Sequence, residues 1–264
     1  MFLVELAKAF RRPRTYVLGA LLAGVAVLPA VILATSQGSS GGPEFFDLIR
    51  RNGLFAALAA VVVIQPFILP LGAGLLSGES IAGEASGGTL RYLLVRPVSR
   101  VRLVLSKYGS VMALLAMAVG WVMLVGVAAG GVAFGYGPLP TLSGTTIGAA
   151  AAATRIALSA GYVVAGIAGL AAIGVFISTM TESAPGASIA AVAIAVISQI
   201  LDGLSSLRVI HPYLLTHDWL AFADLFRSPV AWDAMRRGLL VFAAYTVLFL
   251  GAALTVMTRK DVTS

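Results

Sequence analysis

The sequence predicts an all-α integral membrane protein. It has six transmembrane helices, an amphipathic interfacial helix at the N-terminus, and a second short amphipathic helix at the inner face between spans two and three. Three observations predict this. Hydrophobic types make up 59% of the 264 residues and charged types only 11%, against about 25% charged in an ordinary soluble domain. That leaves too little polar surface to coat a water-soluble globule and excludes a soluble enzyme, a secreted module and a disordered chain. Six stretches approach or exceed the roughly 20 apolar residues a helix needs to cross hydrocarbon. Basic residues gather in particular segments between those stretches.

Taken in order, residues 1–14 place Phe2, Leu3, Leu6 and Phe10 on one helical face, with Lys8, Arg11 and Arg12 directed away. A helix lying in the interface plane fits that pattern, and Pro13 turns the chain into the first span. The spans are 16–35, 54–76, 108–134, 158–180, 187–201 and 238–257, in one transmembrane domain covering 1–264. The first is longer than the 7–15-residue core of a signal peptide and is read as retained. The fifth is short and borrows residues at both ends. Segments 36–44 and 135–146 are loops rich in turn formers. Between the second of these and the fourth span, 147–153 forms a short re-entrant or interfacial helix, interrupted by Arg155. Ser183 caps the fifth span, with Pro185 in its first turn. Segment 202–237 holds both histidines and two of the three tryptophans, and reads as short helices dipping into the outer leaflet.

With both termini cytoplasmic, the inner segments carry a net charge of +6 and the outer ones +1. Nine of the eleven inner basic residues lie in 1–14 and 77–107. The overall charge of +7 is therefore read as anchoring to a bilayer surface and not as nucleic-acid binding. The excess of Arg over Lys and the abundance of Ala and Gly suggest GC-rich coding and a bacterial source. Cysteine is absent, which removes disulfides, thiolate metal sites and a cysteine nucleophile.

Few residues suggest chemistry. His211 and His217, with Asp218 and Asp224 nearby, are six residues apart across a proline. That is a poor helical ligand spacing, so the expectation is interfacial packing or hydrogen bonding and no metal. Ser205 or Ser206 with His211 and Asp218 lacks a nucleophile elbow, so no catalytic residue is expected. Gln65, before Pro66 and a turn from Pro70, either lines a substrate path or bonds a neighbouring helix; Gln199 in the fifth span has the same two readings. No charge sits squarely mid-span, which argues against a proton- or sodium-driven carrier. Gly126-x-x-x-Gly130, Gly131-x-x-x-Gly135 and the series Gly161, Ala165, Gly169 permit close helix packing, within the chain or between copies.

The richest segment is 77–107, SGESIAGEASGGTLRYLLVRPVSRVRLVLSK. Ser86–Thr89 breaks the descending helix. Leu90, Leu93 and Leu94 then form an apolar stripe, Pro97 ends the short helix and Ser99 caps the next. The stripe either docks on a partner or rests in the lipid interface.

The run Glu79, Gly83, Glu84, Gly88, Thr89, Leu90, Arg91, Leu93, Leu94, Arg96, Pro97, Val98, Ser99, Arg100, Leu103 and Lys107 resembles the signature of type-2 ABC exporter permeases. The stretch from Glu5 to Tyr16 is similar to that family's entry helix. The resemblance implies a membrane subunit of the bacterial cytoplasmic membrane that pairs with a second copy, with a homodimer expected, and binds two ATP-binding-cassette ATPase subunits. The coupling residues it implies are Glu79, Glu84, Gly87, Gly88, Thr89, Leu90, Leu93, Leu94, Arg96, Pro97 and Arg100, with Glu84 the leading candidate for an ionic contact with the partner. Cofactors are expected on the partner, as ATP and Mg, and none on this chain. A phosphate-binding loop needs a Lys after Gly, and none of Lys8, Lys107 and Lys260 follows a glycine. A mechanotransmission or assembly subunit without bulk transport, and an ATP-independent carrier or channel, are the alternatives.

Overall fold

The computed structural model describes residues 13–35, 49–88 and 99–259. The N-terminal interfacial helix and Thr89, Leu90, Leu93, Leu94, Arg96 and Pro97 lie outside the described residues. The chain is an all-α integral membrane protein built from α1 (Pro13–Thr35), α2 (Leu54–Ile64), α3 (Ile68–Ser86), α4 (Arg100–Phe134), α5 (Ala149–Met180), α6 (Ala184–Asp202) and α7 (Asp233–Arg259). Five of these helices are each long and apolar enough to cross a membrane, and α2 with α3, bent by 58° at the break between them, pass the same test together as a sixth candidate span.

The second span thus departs from the single run 54–76. It breaks after Ile64 and resumes as far as Ser86. Pro66 has no N–H to give the Val62 carbonyl and Pro70 none to give the Pro66 carbonyl, so two helical bonds about one turn apart are missing. The re-entrant helix expected at 147–153 is instead the first turns of α5, where five consecutive alanines favour continuous helix. Arg155 does not interrupt it. This side chain projects outward and donates to the Arg227 carbonyl at 3.2 Å. The loop 135–146 folds into a small hairpin, β1 (Leu139–Pro140) against β2 (Thr146–Ile147), with Leu139 opposite Ile147. Gly144 takes φ +82° at its turn, a conformation that favours glycine. As expected, Ser99 Oγ caps α4 by accepting from Arg102 N, and Ser183 Oγ caps α6 by accepting from Gly186 N. α6 gains residues at both ends.

The helices pack as two sets. α1, α2 and α4 pack on one another, α3, α5 and α6 on one another and α7 along α5, while α4 bridges the sets through α3, α5 and α7, its contact with α5 as extensive as that of α1 with α2. A Cβ on Gly126 would lie 2.6 Å from the Ala57 Cα, and one on Gly130 would overlap the Gly53 carbonyl. The first small-residue pair of α4 is therefore filled by α2 of the same chain. Within one bent span, α2 belongs to the first set and α3 to the second.

Candidate functional site

The break is where polar groups enter the apolar bundle. The Pro66 carbonyl has no helical partner because Pro70 stands four residues on. Gln199 Nε2, from α6, donates to it at 2.8 Å. On the other side Gln65, buried, donates through Nε2 to the Trp219 carbonyl at 3.0 Å. Its Oε1 is also buried and meets no donor among the described residues. Both glutamines singled out in the sequence thus bond neighbouring elements at one point, the bend itself.

Trp219 belongs to a strap, 203–232, that folds back over the bundle in 3-10 turns at Ser205–Leu207, His211–Tyr213 and Ala221–Phe226. Its indole donates to the Gly166 carbonyl of α5 at 3.0 Å. Asp218 beside it receives a two-pronged ion pair from Arg237 of α7, at 2.8 and 2.6 Å. Tyr162 donates its hydroxyl to the Asp218 carbonyl at 2.8 Å, and Ser198 and Thr216 share a hydrogen bond of 2.8 Å between α6 and the strap. Trp219, Phe222, Leu225 and Phe226 are buried. The strap is therefore fastened to α5, α6, α7 and the break at once.

Below the break, α3 is held to α5 and α6 by close approach. A Cβ on Gly78 would lie 2.5 Å from the Ser188 backbone N, and one on Gly174 would overlap Ser77. Ser178 Oγ of α5 donates to the Gly78 carbonyl at 2.7 Å and accepts from the Ile81 and Ala82 amides at 3.0 and 2.8 Å. At the end of α3, Glu84 pairs with Lys107 of α4 at 3.0 Å, with side chains 24% and 7% exposed. Expected to meet a partner, Glu84 makes an ionic contact inside the chain. Lys107, one of the basic residues counted toward the inner membrane surface, is buried, and the Glu84 carboxylate compensates that burial. Glu79 is exposed, as are Gly87 and Gly88, and Gly88 takes φ +68°. Arg100, first residue of α4, donates to the last carbonyls of α7, at Met257 and Thr258, at 3.0 and 3.1 Å.

Of the sequence-predicted coupling residues, the described ones (Glu79, Glu84, Gly87, Gly88 and Arg100) gather at the end of the bundle where α3 finishes and α4 begins. Gln65 and Gln199 stand at the bend. Sequence reasoning missed Ser178, the Asp218–Arg237 pair and the depth of Trp219. It had the signal for the Gln199 bond, because two prolines four residues apart leave one carbonyl without a donor. His211 and Asp218 go to different partners, so no triad forms among the described residues.

No match was found among curated proteins. The family model described as "ABC-2 family transporter protein" matches residues 1–202. That stretch takes in α1 to α6, and with them the bend, its amide brace from α6 and the acidic end of α3; the chain belongs to the ABC-2 transporter family, whose members are membrane permease subunits of ABC transporters.

Proposed function

We propose that the chain is the permease of an ATP-driven exporter in a bacterial cytoplasmic membrane, with both termini and segment 77–107 cytoplasmic. Two copies assemble with two separate ATPase subunits, which hold ATP and Mg. The observation that carries this reading is the division of one span between two helix sets. α3 is locked to α5 and α6 by glycine and serine contacts, is bent away from α2, and ends in the segment that leads to Thr89–Pro97. A force applied to that segment reaches α3, α5 and α6 together. They move against α1, α2 and α4 about the bend, which opens or closes the space between the sets. Nucleotide then biases one of two arrangements through contacts made differently in each.

The contact surface in this proposal is Leu90, Leu93 and Leu94 with exposed Glu79, while Glu84 holds the surface in place through Lys107. The test is copurification of the ATPase encoded with this permease, together with its turnover in lipid. Leu93→Asp removes an apolar anchor, and loss of such an anchor costs about 2 kcal/mol or more, near 30-fold in affinity. The permease should insert normally while ATPase capture and stimulated turnover fall. Normal assembly and turnover in Leu93→Asp and in Glu79→Lys would remove this segment from the contact. An ATPase that assembles and turns over without moving any substrate would favour mechanotransmission. For orientation, an impermeant thiol reagent on intact cells should label Ser39→Cys and spare Ser86→Cys.

A further inference from the structure

Asp202, His211 and His217 reach one point from three places: the last residue of α6, the turn His211–Tyr213 and the turn after it. One ligating atom from each lies within 4.8 Å of the others. Asp202 Oδ1 is 2.5 Å from His217 Nδ1 and 3.8 Å from His211 Nδ1. The two imidazoles lie with centroids 5.7 Å apart. A six-residue spacing is wrong for a helix, but this stretch is not helical. Its 3-10 turns and Pro212 bring both rings to the same side, against the end of α6.

Two features mark this as a ligand set. His211 Nε2 lies 3.1 Å from the Leu204 carbonyl oxygen. A carbonyl only accepts, so Nε2 carries a hydrogen, and Nδ1, on the side of Asp202, is the nitrogen placed to ligate. Metal-bound histidines are held by the same kind of brace, which fixes tautomer and ring direction. The three side chains are also recessed without being sealed, at 15%, 28% and 29% exposure for His211, His217 and Asp202. An ion can enter from the surface, and the side chains have room to adjust.

We infer that Asp202, His211 and His217 bind a divalent first-row transition ion of the zinc type. Two imidazole nitrogens and a carboxylate suit such an ion, whereas calcium and magnesium prefer oxygen throughout. Zinc takes nitrogen and carboxylate ligands at about 2.0–2.2 Å, which places tetrahedral ligand atoms about 3.3 Å apart. The 2.5 Å contact opens and the 3.8 Å contact closes, each by less than about 1 Å. The ion takes the place of the hydrogen bond between His217 Nδ1 and Asp202: the ring's hydrogen moves to Nε2, and His217 binds as a neutral imidazole through Nδ1. The fourth position is left to water or to a donor atom from outside the chain. Binding closes loop 203–216 and fixes the end of α6 to the strap, whose next residues, Asp218 and Trp219, are fastened to Arg237, Gly166 and Gln65. The site stands independently of the ATP-coupling proposal.

The experiment uses the full chain without a histidine tag, stripped with chelator and held in lipid nanodiscs. His211 and His217 are its only histidines and it has no cysteine, so their replacement removes every imidazole and thiolate. Calorimetric titration with zinc should give one saturable site per chain. Cobalt should give the intense visible bands of tetrahedral coordination. His211→Asn and His217→Asn should each weaken zinc about 100-fold, and Asp202→Asn about 10-fold. Trypsin cleavage after exposed Arg208, inside the closed loop, should slow with zinc in the wild type and not in the variants. Circular dichroism and size exclusion without metal establish that each variant is folded, and His→Gln replaces any Asn variant that is not. A folded wild type with no saturable zinc site overturns the inference whatever the variants do. Equal affinity in the single histidine variants, or a purely octahedral cobalt spectrum, overturns it as well.

Discussion

Along α2, no side chain carries a hydrogen-bonding group, and eight of its eleven residues are buried. It meets α4 through alanine laid on glycine, and Phe55 tilts onto Phe226 with ring centroids 5.7 Å apart. Along α3, glycine and serine recur every three or four residues, and the neighbouring helices are reached through Ser178 and Ser188 as well as by close approach. Lipid tails are as apolar as leucine, so dry packing alone leaves the register of a helix loosely specified. α2 is positioned by shape. α3 is positioned by shape and by hydrogen bonds that are satisfied in one register. This places the stiffer joint on the side of the bend that leads to the cytoplasmic segment in the proposed topology.

The largest expected effect comes from forcing the close approaches apart. Gly78→Leu in α3 and Gly130→Leu in α4 should each cost about 3 kcal/mol, at the upper end of overpacking, and lower the unfolding midpoint in detergent. Equal tolerance at both sites would mean that these helix pairs are not in contact. Next is the ion pair. Lys107→Met leaves the partly buried Glu84 without its Lys107 partner and should cost about 2–3 kcal/mol, most of it recovered in Lys107→Met with Glu84→Leu. A double variant no better than the single one would remove the pair from the stability of α3.

A smaller effect, about 1 kcal/mol, is expected for Gln199→Leu, which orphans the Pro66 carbonyl. The coupling is the sharper observable. Pro70→Ala returns a backbone N–H to position 70, and in that background Gln199→Leu should cost close to nothing. Additive costs in the double-mutant cycle would show that Gln199 does not stand in for the missing amide. Ser178→Ala should cost about 1 kcal/mol and separate α3 from α2, which has no equivalent bond to lose. The smallest effect is at Gly72, six residues before Gly78 on α3, where a Cβ meets nothing within 4 Å. Gly72→Ala should be neutral or stabilising by up to about 1 kcal/mol. A loss there comparable to that of Gly78→Ala would contradict the assignment of the two faces.

The spans were legible because length and apolarity depend on the bilayer and not on the tertiary fold. The bend had its signal in Pro66, which frees a carbonyl one turn back and kinks a helix. The helix descending to the Ser86–Thr89 break was legible too, but not that its polar stretch packs inside the bundle, because Ser77, Gly78, Glu79 and Ser80 look like an aqueous face when judged against lipid. Ser77, Gly78 and Ser80 are in fact buried within the bundle, so their polarity is never presented to hydrocarbon. The pairing of Glu84 with Lys107, 23 residues apart, depends on how α3 and α4 pass each other, which no local pattern encodes. His211 and His217 were singled out in the sequence with Asp218 and Asp224 beside them; that Asp202 at the end of α6 is the acid nearest both rings was not legible, because it depends on how the strap folds back on α6. The alanine run at 149–153 was the opposite case: its propensity was plain, and a single arginine outweighed it in the reading although a long side chain leaves a helix surface easily.

α3 runs for 19 residues beyond the bend, an arm of about 28 Å at 1.5 Å per residue. A rotation of about 10° at the Gln65–Phe67 joint would carry its far end by about 5 Å, close to one helical pitch. The same rotation displaces atoms beside the joint, including the Gln65 amide on the Trp219 carbonyl, by well under an ångström. A pair of probes near the tip, at Gly87 and at Tyr16 of α1 in the other set, should therefore register a large change in separation between nucleotide states, and a pair astride the joint, at Phe67 and Leu204, almost none. The cysteine-free sequence makes both pairs directly accessible to site-specific labelling.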